Sequence, residues 1–243
     1  MRYINLKVNF IAVIILIITS SQATGNKIDR SFKVVFWGFE LGSVNIKGEI
    51  KSFQYDVSID ASTRGLISLL SETRIRSGSV GTVDEKLKFK PIESTTKWNV
   101  RGELRKTELK YDNGEVIFFA ASPTLKRDYH ISTPVGIKES LDPVSAALWF
   151  LVDRKETEIC EGNLSIFDGF RLSELIYTEK IRTEKGVECR GRLKRITGFK
   201  KSNLQKQPLD FVQNFYTKTG DNFIVERFEI NTVFGRLSFE FLK

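Results

Sequence analysis

A lone histidine, a serine three residues after an aspartate, two cysteines and short runs of alternating basic residues are what this chain of 243 residues offers for chemistry. A metal centre or a histidine-based triad would have to rest on His130. That residue sits in the polar stretch Lys126-Arg127-Asp128-Tyr129-His130, with no carboxylate pair at ligand spacing, and reads as a surface or strand histidine. Zinc usually takes several Cys or His ligands, which one His and two Cys hardly supply, so no metal and no cofactor is expected. Ser145 lacks the G-x-S-x-G elbow that exposes a nucleophile, and reads as a first-turn hydrogen-bonding residue. Asp142, followed by Pro143, reads as a helix cap, and Asp168 as a turn residue before Gly169. Gly38-Phe39-Glu40-Leu41-Gly42 has no lysine to reach a phosphate and opens no helix, so it is no phosphate loop. The linear motifs therefore point away from an enzyme.

Basic residues pose a separate question. Arg190, Arg192 and Lys194 share one face of a strand, as do Lys86, Lys88 and Lys90. Brought close together they would form a positive stripe suited to anionic headgroups or another acidic envelope surface. The alternative is a solvated strand face whose charges discourage edge-to-edge pairing. The net charge of +8 also admits a nucleic-acid partner.

The N-terminal segment bears on that reading. Arg2 and Lys7 lead into an apolar run from Phe10 to Ile18, then Ser21 and Ala23 supply small residues at a cleavage site. This is the pattern of a signal peptide, and residues 1–23 are expected to be removed. Spanning a bilayer takes roughly 20 apolar residues, about twice this run. Without Arg2 and Lys7 the charge of +8 falls by two to +6. An exported protein meets no nucleic acid, so none is expected as a partner, and no later stretch is expected to span a membrane. In an oxidising compartment Cys160 and Cys189 are expected to pair as a structural disulfide, since they are not a redox-type C-x-x-C.

Strands carry most of these residues. Phe53, Tyr55, Val57, Ile59 and Ala61 alternate with polar residues, as a half-buried strand requires. Phe32, Val34 and Phe36 open an earlier strand that Gly38 and Gly42 bend or relieve, and Leu87 and Phe89 alternate with lysines. Val116-Ile117-Phe118-Phe119 is apolar on both faces and predicts a central strand. Asp112-Asn113-Gly114, Asp168-Gly169, Lys185-Gly186 and Thr219-Gly220-Asp221-Asn222 predict hairpins. In the last segment the apolar residues change parity at Gly235, predicting a bulge or kink there in one strand. Asp142 and Pro143 begin a helix to about residue 152, apolar almost all round. Gly65 to Leu70 is open between helix and strand, and Gln205 to Asp210 reads as a loop. The expected fold is mainly β, a large curved antiparallel sheet or open barrel with one short helix packed against it. Residues 24–243 are expected to form a single domain.

Several pieces, taken in order, resemble the exported bacterial proteins grouped as domain of unknown function number 3108. They are Phe36-Trp37-Gly38-Phe39-Glu40-Leu41-Gly42, Ser62-Thr63-Arg64-Gly65, Leu141 to Ala146, Cys160, Phe167 to Arg171, Cys189 through Phe199, and Thr232-Val233-Phe234-Gly235. The resemblance implies a periplasmic protein without an assigned reaction. It also implies an architecture similar to the lipoprotein-carrier superfamily, whose open barrel half-encloses a hydrophobic cavity. The expected function is non-enzymatic binding of a lipid, lipoprotein or other envelope component on an apolar concave face. The alternative is a structural or protein-interaction module supporting envelope integrity. Fold alone does not decide between them.

Overall fold

The structure, a computed structural model, describes residues 26–65, 68, 72–124, 130–217, 222–232 and 234–242. The leader therefore lies outside the described residues, as do most of Gly65–Leu70 and the turn at 219–221. Fourteen strands form one sheet: β1 (Asn26–Phe36), β2 (Phe39–Lys51), β3 (Gln54–Thr63), β4 (Thr73–Val83), β5 (Phe89–Val100), β6 (Glu103–Asp112), β7 (Glu115–Ser122), β8 (Arg154–Lys155), β9 (Asn163–Phe167), β10 (Leu172–Thr183), β11 (Gly186–Thr197), β12 (Leu209–Thr217), β13 (Asn222–Thr232) and β14 (Gly235–Phe241). The order across it is β7-β6-β5-β4-β3-β2-β1-β14-β13-β12-β11-β10-β9, antiparallel throughout, with β8 added on β13. Two-residue turns at Trp37-Gly38, Ser52-Phe53, Arg101-Gly102 and Asn113-Gly114 have positive φ at both positions, the geometry whose twist matches paired strands.

Because strands reverse at each turn, the connections after Phe36, Thr63, Val100, Phe167, Thr197 and Thr232 leave from one end of the barrel, here the mouth. Those after Lys51, Val83, Asp112 and Thr183 leave from the other, the base.

Helix α1 (Pro143–Leu151) lies inside the curve and gives the core its centre. Its buried Val144, Ala146, Leu148 and Leu151 meet Ile28, Phe32, Val57, Leu175, Phe211 and Val225 from across the sheet. Leu148 approaches Gly48 so closely that a Cβ there would stand 3.1 Å from its methyl, so a glycine on β2 makes room for the helix. A second short helix, α2 (Lys201–Leu204), precedes β12.

The sheet does not close on itself. Its edges, β7 and β9, are joined instead by the irregular chain between residues 130 and 141. Val116 N donates to Ile137 O, Gly136 N to Val116 O and Glu139 N to Gly114 O on the β7 side. On the other side Leu141 N donates to Ser165 O, Phe167 N to Leu141 O and Ile131 N to Phe170 O. Leu109, Tyr111, Val116 and Phe167 form a second small core behind this seam.

Several expectations are corrected. The run at Val116–Phe119 is an edge strand: Val116 is buried in the seam core, but Ile117 and Phe118 face outward. Phe53 belongs to a turn and is exposed. Lys86 and Lys88 lie in a loop whose backbone amides donate to Asp84, so only Lys90 of that trio is on a strand. The parity change at Gly235 is a hairpin between β13 and β14, not a kink in one strand. An actual register shift occurs earlier, where Phe215 pairs with Val225 and Asn214 with Arg227, stepping over Glu226. It makes Phe223 and Val225, rather than Ile224, the residues that join Phe228 and Ile230 in the core. Asp168-Gly169 opens a four-residue connection rather than a two-residue turn, and the turn before Gly186 is Glu184-Lys185. Leu209 and Asp210 belong to β12.

Candidate functional site

Register on the inner face explains where polar chemistry collects. Across β2 to β6 one row runs Val44, Ala61, Ile75, Trp98, Arg105, and the next runs Ile46, Ile59, Ser77, Thr96, Thr107. The third runs Gly48, Val57, Ser79, Ser94, Leu109. The inside of the barrel is thus apolar at β2 and β3 and hydroxyl-rich at β4 to β6.

Asp142 enters this polar region from the start of α1 and is fully buried. One carboxylate oxygen accepts from Val144 N (2.9 Å), Ser145 N (3.1 Å) and Ser94 Oγ (2.9 Å). The other accepts from Ser79 Oγ (2.9 Å) and Ser145 Oγ. Ser145 Oγ is also 2.7 Å from Tyr55 Oη and 2.8 Å from Ser79 Oγ. A buried charge is tolerable only when its hydrogen-bonding capacity is filled, and here five donors fill it. The Asp142 cap read from sequence is therefore also the bolt that fixes α1 to β3, β4 and β5. Ser145 is fully buried within the same network and faces no open space.

Tyrosines around α1 are tuned by their surroundings. Burial pushes the Tyr55 hydroxyl well above its ordinary pKa, and the charge of Asp142 adds to that; hydrogen bonds from Ser145 and Ser79 act the other way. Tyr111 is raised by burial and then by Asp142 and Tyr55. Tyr177, which bonds Gln213 Oε1, is raised by burial and opposed by Arg154. Arg154 is itself buried, stacks on Trp149 at 4.1 Å and donates to the Trp149 carbonyl at 2.7 Å.

Two adjoining spaces lie inside among the described residues. A cavity of about 740 Å³ lies between the start of α1 and the mouth, lined by Ile75, Ser94, Thr96, Trp98, Arg105 and Arg171 among others. An apolar groove of about 330 Å³ runs along α1 past Phe32, Ile46, Ala147, Phe150, Phe228 and Phe239. Val44, Ile59 and Pro143 line both, so the groove is the apolar continuation of the cavity. The cavity is the part that offers charge. Arg105 binds Glu103 through Nη2 at 2.9 Å, while its buried Nε, like that of Arg171, has no partner among the described residues. Asp168 also lines the cavity, but its carboxylate is engaged by the Phe170 and Arg171 amides at 2.8 and 2.7 Å. The helix N-terminus at Val144 offers the cavity little positive charge, because Asp142 already takes its amides.

The residues singled out in the sequence are scattered. His130 is buried rather than on the surface, its ring 4.8 Å from that of Phe170 at the cavity wall. No group of three or more His, Cys, Asp or Glu side chains among the described residues is placed to hold a metal ion. The sulfurs of Cys160, just before β9, and Cys189, on β11, lie at bonding distance with Cα atoms 5.1 Å apart, so the link reaches across β10. Arg190, Arg192 and Lys194 do share one exposed face of β11. Carboxylates lie among them: Arg190 meets Glu188 at 2.8 Å and Glu179 at 3.4 Å, Arg192 meets Asp210 at 3.6 Å, and Lys194 is opposite Glu174. Lys90 is far from them in strand order. Sequence reading missed Arg105, Arg171 and the serine rows. Their signal was present as alternating Ser77-x-Ser79, Ser94-x-Thr96-x-Trp98 and Arg105-x-Thr107, polar residues on what proves to be the inward face.

No family model matches the sequence, and neither does any curated protein. Among solved structures, the chain is similar to a β-barrel-like protein of Domain of Unknown Function DUF1849 from Brucella abortus. The TM-score is 0.52 over 89% of this chain and 96% of that one, at 10% identity. The likeness is one of fold. It agrees with a β-barrel-like architecture of uncharacterised function, and it does not single out family number 3108. Among the described residues no helix is long and apolar enough to cross a membrane.

Proposed function

We propose that this protein is a non-enzymatic binding protein of the bacterial cell envelope, exported by its leader, that holds the acyl chain of a lipid or lipidated partner inside the barrel. One observation carries the reading: the apolar groove along α1 continues into a polar, arginine-bearing cavity near the mouth. Both volumes fall in the range of ligand sites, roughly 300–1,000 Å³, and the combination suits a molecule with an apolar tail and a polar head. The cysteine pair is consistent with an oxidising compartment. Kinship with family number 3108 belongs to the same proposal, on the sequence pieces that suggest it.

Lipid extraction of the purified, exported protein followed by mass spectrometry tests this. A stoichiometric amphiphile is expected, and Ala147→Trp, which fills the groove, should exclude it while the fold persists by circular dichroism. Empty extracts, with no uptake of a fluorescent fatty acid by either protein, would overturn the carrier reading. A specific protein partner captured under those conditions would favour the interaction module instead. Mature protein beginning at residue 24 in the periplasmic fraction is the expected result for export.

A further inference from the structure

We infer that the mouth of the barrel is a docking surface for an anionic lipid bilayer. The first observation is where exposed apolar side chains gather. Trp37 (72% exposed), Phe39 (74%) and Phe234 (77%) stand on the adjacent β1–β2 and β13–β14 hairpins. Trp37 Nε1 donates to the Phe234 carbonyl at 2.9 Å, which ties the two tips together and satisfies the indole N–H. Exposed Leu104, Ile196 and Leu204 lie near the same end, on β6, β11 and α2. Trp is enriched where membrane meets water, because its ring is apolar and its N–H can stay bonded.

The second observation is charge. The described residues of the mouth connections carry Arg64, Arg101, Arg171, Lys200, Lys201 and Lys206 against Glu72 and Asp168. At the base, the hairpin connections match Lys86, Lys88 and Lys185 with Asp84, Glu85 and Glu184, and the chain between β8 and β9 adds Glu156, Glu158 and Glu161 at that end. Apolar tips within a cationic rim fit an anionic headgroup layer over apolar chains; a base with no cationic excess does not. An acidic protein would answer the charge, but three aromatic rings at hairpin tips, each more than 70% exposed, suit insertion into a deformable bilayer better than a rigid partner. The surface also surrounds the cavity opening, yet the inference stands whether or not the interior holds a ligand.

Flotation of the full mature protein with vesicles tests it. Vesicles of phosphatidylglycerol and phosphatidylethanolamine should bind it at least about tenfold more tightly than pure phosphatidylcholine, with binding weakened by high salt, since basic residues near an anionic surface each add favourably. Brominated acyl chains should quench Trp37, the exposed tryptophan of the mouth. Phe39→Ser combined with Phe234→Ser should lower vesicle affinity about tenfold or more, from the loss of two inserted rings, whereas Phe53→Ser at the base should leave it unchanged. The rings are solvent-exposed, so the variants should fold, and circular dichroism confirms it. Equal binding by the double variant, absent binding to anionic vesicles, or a double variant that loses only a cross-linked protein partner would each overturn the inference. Lipid recovery from the interior is read separately, so failure here leaves the proposed carrier role standing, and the reverse.

Discussion

Replacing Asp142 with alanine removes the point at which the helix and the sheet are joined. The expected loss can be built from the contacts. The cap on the Val144 and Ser145 amides is worth about 1 kcal/mol. The bonds from Ser79 and Ser94, each to a charged acceptor, add roughly 1.5 kcal/mol apiece at the low end of the usual range. Together they give about 4 kcal/mol, a large part of the 5–15 kcal/mol typical of a domain. Asp142→Asn keeps one acceptor oxygen and the volume, and should lose about half as much. Urea unfolding followed by tryptophan fluorescence measures both, because Trp149 lies on α1 and Trp98 lines the cavity. Ser79→Ala with Ser94→Ala should approach the alanine value less the cap. A change below about 1 kcal/mol for Asp142→Ala would refute the reasoning, by showing that the desolvation of the carboxylate cancels its hydrogen bonds.

Three further outcomes are expected. Tyr55, Tyr111 and Tyr177 are raised in the folded protein, so their contribution is complete below the ordinary tyrosine pKa near 10 and is lost as pH rises toward their folded values. Each should add about 1.4 kcal/mol per pH unit to the fall in stability above pH 10, and Tyr177→Phe should make the urea-midpoint profile shallower. Replacing Cys160 and Cys189 with serine opens a link spanning 29 residues and should lower stability by about 3–4 kcal/mol in the chain-entropy account; unchanged melting, or two free thiols in the native exported protein, would contradict it. Gly42→Ala places a Cβ 2.1 Å from the Ser62 carbonyl oxygen and should destabilise by at least about 2 kcal/mol, more than Gly38→Ala, whose position has open space and only a left-handed φ. Thermal melts of the two variants compare them directly.

What the sequence disclosed follows from how local each signal is. The Asp142-Pro143 start of α1 and the Asn113-Gly114 turn depend on a few adjacent residues, and both stand as read. Tyr55, Val57 and Ile59 alternate with polar residues because one face of β3 is turned to α1 and the core, and that period of two is legible within a single strand. Signals that depend on distant chain were misread. Val116–Phe119 looks central because an edge covered by an irregular segment buries Val116 as a central strand would. The parity change at Gly235 has two possible causes, a bulge or a reversal, and only pairing with β13 separates them. Arg105 and Arg171 carry no motif; they matter because the seam brings β6 and the β9–β10 connection to one cavity. Of the pieces resembling family number 3108, those with Trp37, Arg64, Arg171, Phe199 and Phe234 reach the connections that leave the mouth, whereas Leu141–Ala146 lies at the inner helix and the cysteine pair lies away from the mouth.

The seam between β7 and β9 bears on how the barrel's size is set. In a closed barrel, strand number and stagger fix the diameter, and a change in girth means re-pairing every strand. Here the last gap is bridged by a few backbone bonds from chain with no ladder of its own. Interior width is therefore decoupled from strand register. Insertions or deletions between residues 131 and 139 would widen or narrow the cavity while leaving all thirteen strands of the main path in register, and the same segment covers the Val116 end of one open edge and the Phe167 end of the other.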